Sequence, residues 1–232
     1  MHLTAIITAR GGSKRIPKKN IKNFMGKPML CYAIDICRES DLFEEIMVST
    51  DDDEIAEIAR RYGAAVPFMR SEKTADDHAT TADVLDEVIN EYRKIGRIFD
   101  EFCCMYPCVP LLNATILKQA YEKFKKSHAD MLLPVVRFSF PIQRALRINA
   151  EGCLEYREPE NASKRSQDLE PMFHDVGMFY FHKTVKNDPL KCVPFEIDEK
   201  YVQDIDNISD WEIAELKYQI INNYKKHPTE NL

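Results

Sequence analysis

Short unbroken apolar runs alternate with stripes of apolar residues at helical spacing along the first 136 positions. Leu3 to Thr8 reads as a buried strand, and Met29 to Glu39 as a helix with Pro28 at its start. Glu45 to Thr50 is a second strand that runs straight into Asp51-Asp52-Asp53. The spacing of Ile55, Ala56, Ile58 and Ala59 predicts a helix from about Asp52, with Gly63 where a C-terminal cap belongs. Ala64 to Met69 reads as a third extended piece ending at Arg70, and Ser71 to Thr80 as a polar loop. A helix from about Thr81 carries Val84, Leu85, Val88, Ile89 and Tyr92. Glu101 to Met105 is a fourth strand; Asn113 caps a helix whose one face holds Ile116, Leu117, Ala120, Tyr121 and Phe124; Asp130 to Val136 is a fifth strand.

This alternation predicts an α/β fold, a mostly parallel twisted sheet flanked by helices, in one domain over 1–232. Ligands in such sheets sit outside the carboxyl ends of the strands, where 8–20, 50–53, 106–110 and 137–144 all fall. The rhythm changes at Phe138: residues 138–173 hold prolines, two short extended pieces (146–149 and 154–157) and a polar tract, which predicts an arm thrown out from the sheet. Val176 to His182 reads as an aromatic strand returning to it. Ser209-Asp210-Trp211-Glu212 reads as a capping box opening a last helix to about Tyr224, with a frayed tail from His227.

Composition narrows the class. The net charge is −6, so no global basic field recruits nucleic acid. Seven cysteines at 31, 37, 103, 104, 108, 153 and 192 form an odd set with no C-x-x-C pair, which predicts buried reduced thiols and neither a disulfide framework nor a zinc site. No basic-then-apolar leader opens the sequence and no apolar run approaches a membrane span, so a cytoplasmic protein without a membrane partner is expected.

The chemistry begins where the first strand ends. Gly11 and Gly12 follow it, and Arg10, Lys14, Arg15, Lys18 and Lys19 fall within ten residues. Paired glycines let backbone N–H groups approach a ligand, and such cations suit a polyanion or, failing that, a solvated basic loop. The spacing is neither that of a P-loop nor that of a dinucleotide fold. At the other end of the chain, alternation along Asp204-Ile205-Asp206 puts two carboxylates on one face and Ile205 toward the core. Mg²⁺ accepts such a pair and takes the rest of its shell from water and phosphate. Asp51 to Asp53 is a rival metal site, although acids at a helix start have a structural explanation. Thr80 to Asp83 suits a cap or a base contact, and His78 reads as solvated. Arg144 and Arg147 with Gln143, then Lys164 and Arg165 with Gln167, would suit a carboxylate-bearing second substrate or a subunit interface.

These segments resemble the CMP-sugar-acid synthetases, the cytidylyltransferases of sialic-type nine-carbon acids. The likeness is carried by A-R-G-G-S-K-R-I-P-K-K-N-I at 9–21, V-S-T-D-D at 48–52, R-S-E-K-T-A-D-D-H-A-T-T at 70–81 and D-I-D at 204–206. Y-P-C-V-P at 106–110, F-S-F-P-I-Q-R-A-L at 138–146, R-S-Q-D-L-E-P at 165–171 and H-D-V-G at 174–177 resemble the branch that acts on pseudaminic acid. Sialic acid synthetases usually carry glutamine where Tyr106 stands and arginine near His174. The resemblance implies a Rossmann-like nucleotidyltransferase fold with a protruding dimerisation arm, Mg²⁺ dependence, and a homodimer in which the arm completes the neighbour's pocket. It implies CTP and a nine-carbon sugar acid as substrates, with the CMP-sugar and pyrophosphate as products. Carried over by position, Ala9, Arg10, Gly11, Ser13, Lys19, Asn20, Arg70 and Thr81 would bind the nucleotide. Tyr106, Gln143, Arg165, Gln167, His174 and Asp175 would line the sugar side, and Asp204 and Asp206 would hold the metal. Arg10, Lys19 and Asp206 would carry the catalysis. Within enzymes the rivals are another ulosonic acid (N-acetylneuraminate, legionaminate or Kdo) or a sugar 1-phosphate as acceptor; outside them, a catalytically silent nucleotide-binding protein.

Overall fold

A computed structural model describes residues 3–226 of the chain. Strand β1 (Leu3–Thr8) is followed by helix α1 (Met29–Ser40), β2 (Glu45–Ser49), α2 (Asp53–Arg61), α3 (Thr81–Lys94), β3 (Glu101–Met105) and α4 (Ala114–Ser127). Then come β4 (Met131–Arg137), β5 (Phe173–Asp175), β6 (Phe179–Lys183), β7 (Cys192–Glu196) and α5 (Ile208–Lys226). These strands form one seven-stranded sheet in the order β7-β4-β6-β3-β1-β2, with β5 also on β4. Strands β2, β1, β3, β4 and β7 run one way, and β5 and β6 run against them. The mostly parallel sheet expected from the alternation is therefore present, with a returning pair inserted.

Alternation along the strands sorts the core into two layers. Ala5, Ile7, Val48, Cys103 and Phe181 face α1, α2 and α4, whose Ile34, Ala56 and Leu117 meet them. Ile6, Met47, Phe102, Cys104 and Tyr180 face the other way, onto Leu85, Val88 and Tyr92 of α3. A third cluster ties Ile16, Phe24 and Met29 to Ile205, Trp211 and Ala214, so the loop after β1 is fastened to the start of α5.

Two features place a cleft at the carboxyl ends of the strands. The chain passes from β1 to neighbouring β2, then crosses to β3 on the other side of β1, which parts the loops above β1 and β3. Opposite β4, Asp175 stands across from Val135 but Phe181 from Leu132, so six residues on one side span three on the other. Pro134, with no N–H to give the ladder, stands at this break, and Gly177 takes φ +61° within it.

Several expected elements differ. Residues 64–69 make one parallel bridge, between Ala65 and Met47, and no strand. The polar loop contains a helical turn, Glu72–Ala75. The returning strand starts earlier and breaks in two, because the periodicity says nothing of the Gly177 turn. Strand β7 was not expected: it is an edge strand carrying Pro194 with three of its five side chains in solvent. The last helix is capped two residues earlier than predicted, by Asn207, whose side chain accepts from the Asp210 amide (3.1 Å) while the Asp210 carboxylate accepts from the Asn207 amide (3.0 Å). Burial of all seven thiols does not hold either, since Cys153 and Cys192 are exposed. Within the arm, Leu146–Ile148 and Leu154–Tyr156 pair as a hairpin apart from the main sheet. The expected frayed tail lies outside the described residues. No helix among those described is long and apolar enough to cross a membrane.

One core residue makes the fold acid-sensitive. His182 on β6 is 7 % exposed and stacks on Phe102 at 5.0 Å between ring centres. Burial, helped by Lys186, pushes its pKa down to about 4. The native protein therefore binds fewer protons than the unfolded chain between about pH 6.5 and 4, and stability falls as pH falls through that window. The slope from this group is at most ~1.4 kcal/mol per pH unit. Urea titrations at pH 7, 5.5 and 4.5 should show the loss, and His182→Phe should flatten it.

Candidate active site

Backbone continuing from β1 carries the cationic loop over the sheet edge. Ala9 is fully buried and its N–H donates to the Ser49 carbonyl (3.0 Å). The Gly11 N–H is not turned to a ligand but donates to the Asp51 carboxylate (2.9 Å). A Cβ on Gly11 would stand 2.7 Å from Asp52 Oδ2 and 2.9 Å from Asp52 Cβ, whereas one on Gly12 would meet nothing within 4 Å. Only the first glycine is required by packing. Asp52 itself caps α2, accepting from the Glu54 and Ile55 amides (2.8 and 3.0 Å). At the rival metal site, one oxygen of Asp51 and one of Asp52 are thus in structural use.

Beyond the glycines the loop is pinned at Ile16, which is fully buried, and at Asn20, which is 6 % exposed. Asn20 donates to the Arg10 carbonyl (2.8 Å), and the Cys108 thiol donates to Asn20 Oδ1 (3.5 Å). Burial raises that thiol to about 11, so it stays a protonated donor. Held by these anchors, the loop turns Arg10, Ser13, Lys14, Arg15 and Lys19 to a cavity of about 570 Å³.

The opposite wall of this cavity is the paired-aspartate segment. Lys19 Nζ donates to the Ile205 carbonyl (2.6 Å), and Arg15 Nη2 meets Asp206 Oδ1 (2.8 Å). Ile205 is buried at 2 % and its two neighbours open to the cleft, as alternation requires, although the segment pairs with no strand. The Asp210 carboxylate fixes it by accepting from the Asp206 amide (2.9 Å) at the entry to α5. Polycation loop and carboxylate pair share one cleft.

A third wall comes from residues 70–81. Arg70 is 8 % exposed and donates to Ser49 Oγ (3.1 Å) and the Ser49 carbonyl (2.8 Å); burial lowers its pKa from the usual arginine value. Thr80 and Asp83 form the capping box of α3, which leaves Thr81 to reach Tyr106, oxygen to oxygen 3.0 Å. Asp77 meets Arg10 Nη1 (2.9 Å) and Lys14, and those two cations hold its carboxyl below the usual range.

Tyr106, Val176, Gly177, Gln203 and Asp204 also border a second lobe of about 590 Å³. His174, Asp175, Tyr180, Arg137 and Ser139 line its far side. The Tyr180 hydroxyl donates to both Asp175 oxygens (3.0 and 2.8 Å) and the Gly177 N–H donates to Oδ1 (2.8 Å), which locks that carboxylate. Burial and Asp175 together push the Tyr180 hydroxyl upward, so it remains a donor.

Of the expected sugar-side residues, Tyr106, His174 and Asp175 meet in this lobe. Gln143, Arg165 and Gln167 do not: within this chain Gln143 donates to the Glu170 carbonyl (2.8 Å), Arg165 pairs with Asp168 (2.8 Å), and Gln167 lines a separate groove beside Phe138. Sequence reading missed Asp77, Tyr180 and Gln203. Gln203 adjoins the paired aspartates and Tyr180 sits on the aromatic strand, but nothing in the polar tract around Asp77 marks it as facing Arg10. Two carboxylates on one face, open to water and phosphate, are a hard oxygen donor set that fits Mg²⁺, with Arg15 the group to be displaced from Asp206. No group of three or more metal-type side chains exists among the described residues.

A family model described as cytidylyltransferase matches residues 4–205. The chain is 41% identical over 222 residues to the pseudaminic acid cytidylyltransferase of Campylobacter jejuni, covering 93% of this chain and 95% of that one. It is 31% identical over 232 residues to the CMP-N,N'-diacetyllegionaminic acid synthase of Legionella pneumophila, covering 93% and 95%. Among solved structures, a CMP:2-keto-3-deoxy-manno-octonic acid synthetase complexed with CTP superposes with a TM-score of 0.68 at 16% identity, over 96% of this chain and 100% of the other, a likeness of fold.

The two glycines give a local test. Gly11→Ala should lower unfolding free energy by about 1–2 kcal/mol, because the new methyl displaces the Asp52 cap. Gly12→Ala should stay within ~0.5 kcal/mol of the parent. Chemical denaturation of the two variants side by side checks this.

Proposed function

The chain belongs to the cytidylyltransferase family, and from that we propose that it transfers CMP from CTP to the anomeric hydroxyl of a nine-carbon 2-keto sugar acid, pseudaminic acid foremost, with release of pyrophosphate. One observation carries the reading: Lys19 of the cationic loop reaches the peptide between Asp204 and Asp206 at 2.6 Å, in a cleft that opens directly into a second lobe. The first lobe suits a nucleoside triphosphate and the second suits the acceptor.

In this reading the sugar hydroxyl oxygen attacks the α-phosphorus in line. The new O–P bond forms as the bond from that phosphorus to the β-bridging oxygen breaks. Pyrophosphate departs with the bonding pair, and the hydroxyl proton passes to water. Arg10 and Lys19 stabilise the charge that gathers on the departing group. Arg70 and Thr81 face the cytidine end, and Asn20 holds the Arg10 backbone in place. Asp204 and Asp206 would hold Mg²⁺, which supplies Lewis acidity to the phosphates when bound. Tyr106 forms the partition between nucleotide and sugar, and Asp175, locked by Tyr180, offers a fixed acceptor for sugar hydroxyl or amide N–H groups.

A homodimer is part of the proposal. The arm exposes Phe140 (86 %), Ile148 (72 %) and Leu154 (68 %), an apolar set that supports its packing on a second copy. Gln143, Arg165 and Gln167 would then reach that copy's acceptor lobe. Nucleotide chemistry of this kind also supports a cytoplasmic setting.

Incubation with CTP and Mg²⁺ against pseudaminic, legionaminic, N-acetylneuraminic and Kdo acids, read by product mass and pyrophosphate, tests the assignment. CMP-pseudaminate should form fastest; no pyrophosphate with any acid would leave only a nucleotide-binding protein. Asp206→Ala should cut turnover by at least about a hundredfold, as removal of a group serving transition-state charge does. Its melting temperature should barely move, because among the described hydrogen bonds and ion pairs the carboxylate meets only the exposed Arg15. Near-normal rates in that variant would remove Asp206 from the mechanism.

A further inference from the structure

All five cations of the loop are already engaged by the chain itself. Lys19 is on the Ile205 carbonyl, Arg15 on Asp206 and Lys18 on Glu54, while Arg10 and Lys14 converge on Asp77. The last pairing differs from the rest. Arg10 Nη1 lies 2.9 Å from Asp77 Oδ1 and 3.0 Å from the Asp76 carbonyl, with Lys14 closing on Asp77 Oδ2. One carboxylate is held by two cations, one at each oxygen, in the cavity that Lys19 and Asp206 also line.

The turn does not need that carboxylate. Asp76 already supplies it, accepting from the His78 and Ala79 amides (2.8 and 2.7 Å). The Asp77 side chain is 44 % exposed and has no contact but Arg10 and Lys14 among the described hydrogen bonds and ion pairs. Its only engagement is with groups that a triphosphate would claim.

We propose that Asp77 is an internal stand-in for a phosphate: it engages Arg10 and Lys14 until the triphosphate displaces it, and returns to help expel pyrophosphate. This rests on the reading that the cleft takes a nucleoside triphosphate. The carboxylate holds both side chains in receiving positions, and it weakens every polyanion by competing for the same cations. The arriving phosphates win because they carry more charge and reach Lys19 as well. Once the product lacks its link to the nucleotide, the returning carboxylate tips the balance toward release.

Calorimetric titration of pyrophosphate and of CTP, each with Mg²⁺ at fixed concentration, tests this in Asp77→Asn and Asp77→Glu. The Asn variant keeps the shape and loses the charge, so both ligands should bind roughly three- to thirtyfold tighter, from the loss of two exposed ion pairs. The gain should shrink as salt is raised, since exposed charges are screened. The Glu variant should stay within about twofold of the parent. With the sugar acid saturating and CTP varied, the Asn variant should show a lower KM for CTP and a kcat no higher than the parent's. If the parent binds both ligands and Asn binds them equally or more weakly, Asp77 is an ordinary loop anchor and the proposal is overturned. If the parent binds neither, the triphosphate reading itself fails and takes the proposal with it.

Discussion

An ammonium ties the loop after β1 to the segment that leads into α5. Lys19 Nζ holds the carbonyl of Ile205, a residue 186 positions later, at 2.6 Å. A charge-assisted bond of this kind contributes about 1.5–3 kcal/mol, but its larger effect is positional. It fixes the height of the aspartate pair relative to the loop that follows β1. The packing beneath agrees with it: Ile205 and Ile16 belong to one buried cluster with Phe24 and Trp211, in which Phe24 and Trp211 meet edge to face at 5.3 Å. Apolar contact brings the segments together and the lysine sets their register.

The sheet supplies the rest of the geometry. Crossing from β2 to β3 over β1 parts the loops at the carboxyl edge, and the break between β5 and β6 opens a second gap beside the first. The Gly177 turn leans on Tyr106, whose amide donates to the Met178 carbonyl (2.8 Å). Tyr106 is thus braced by backbone on one side and by Thr81 on the other. Two adjoining hollows with one tyrosine between them follow from strand order and one interrupted pairing.

Much of this was legible in the residues, and the reasons are local. Alternating apolar runs and helical stripes report burial directly, so β1, β2, β3, β4 and the main helices fall where periodicity puts them. The same holds for Asp204-Ile205-Asp206, where alternation alone turns both carboxylates to one side. What could not be read depends on partners remote in sequence. Gly11 reads as a ligand-facing glycine until Asp51 and Asp52 are seen beneath it. The edge strand β7 offers only two inward apolar residues, Val193 and Phe195, on either side of Pro194, too short and broken a pattern to mark a strand locally. Asp77 and Tyr180 gain their meaning from Arg10 and Asp175, and no spacing rule announces either pair. Gln143, Arg165 and Gln167 stand apart from this chain's cleft because they ride on the arm.

The tyrosine partition divides the site by chain segment as well as by space. The first hollow draws on residues 8–108 and is closed by 176–178 and 203–206, whereas the far side of the neighbouring hollow is drawn from 136–139, His174, Asp175, Tyr180, Glu199 and Lys217. Changes at 136–139, His174, Asp175, Tyr180, Glu199 or Lys217 reshape the second hollow without altering the lining of the first. The architecture in that sense lets one hollow vary while its neighbour keeps its walls.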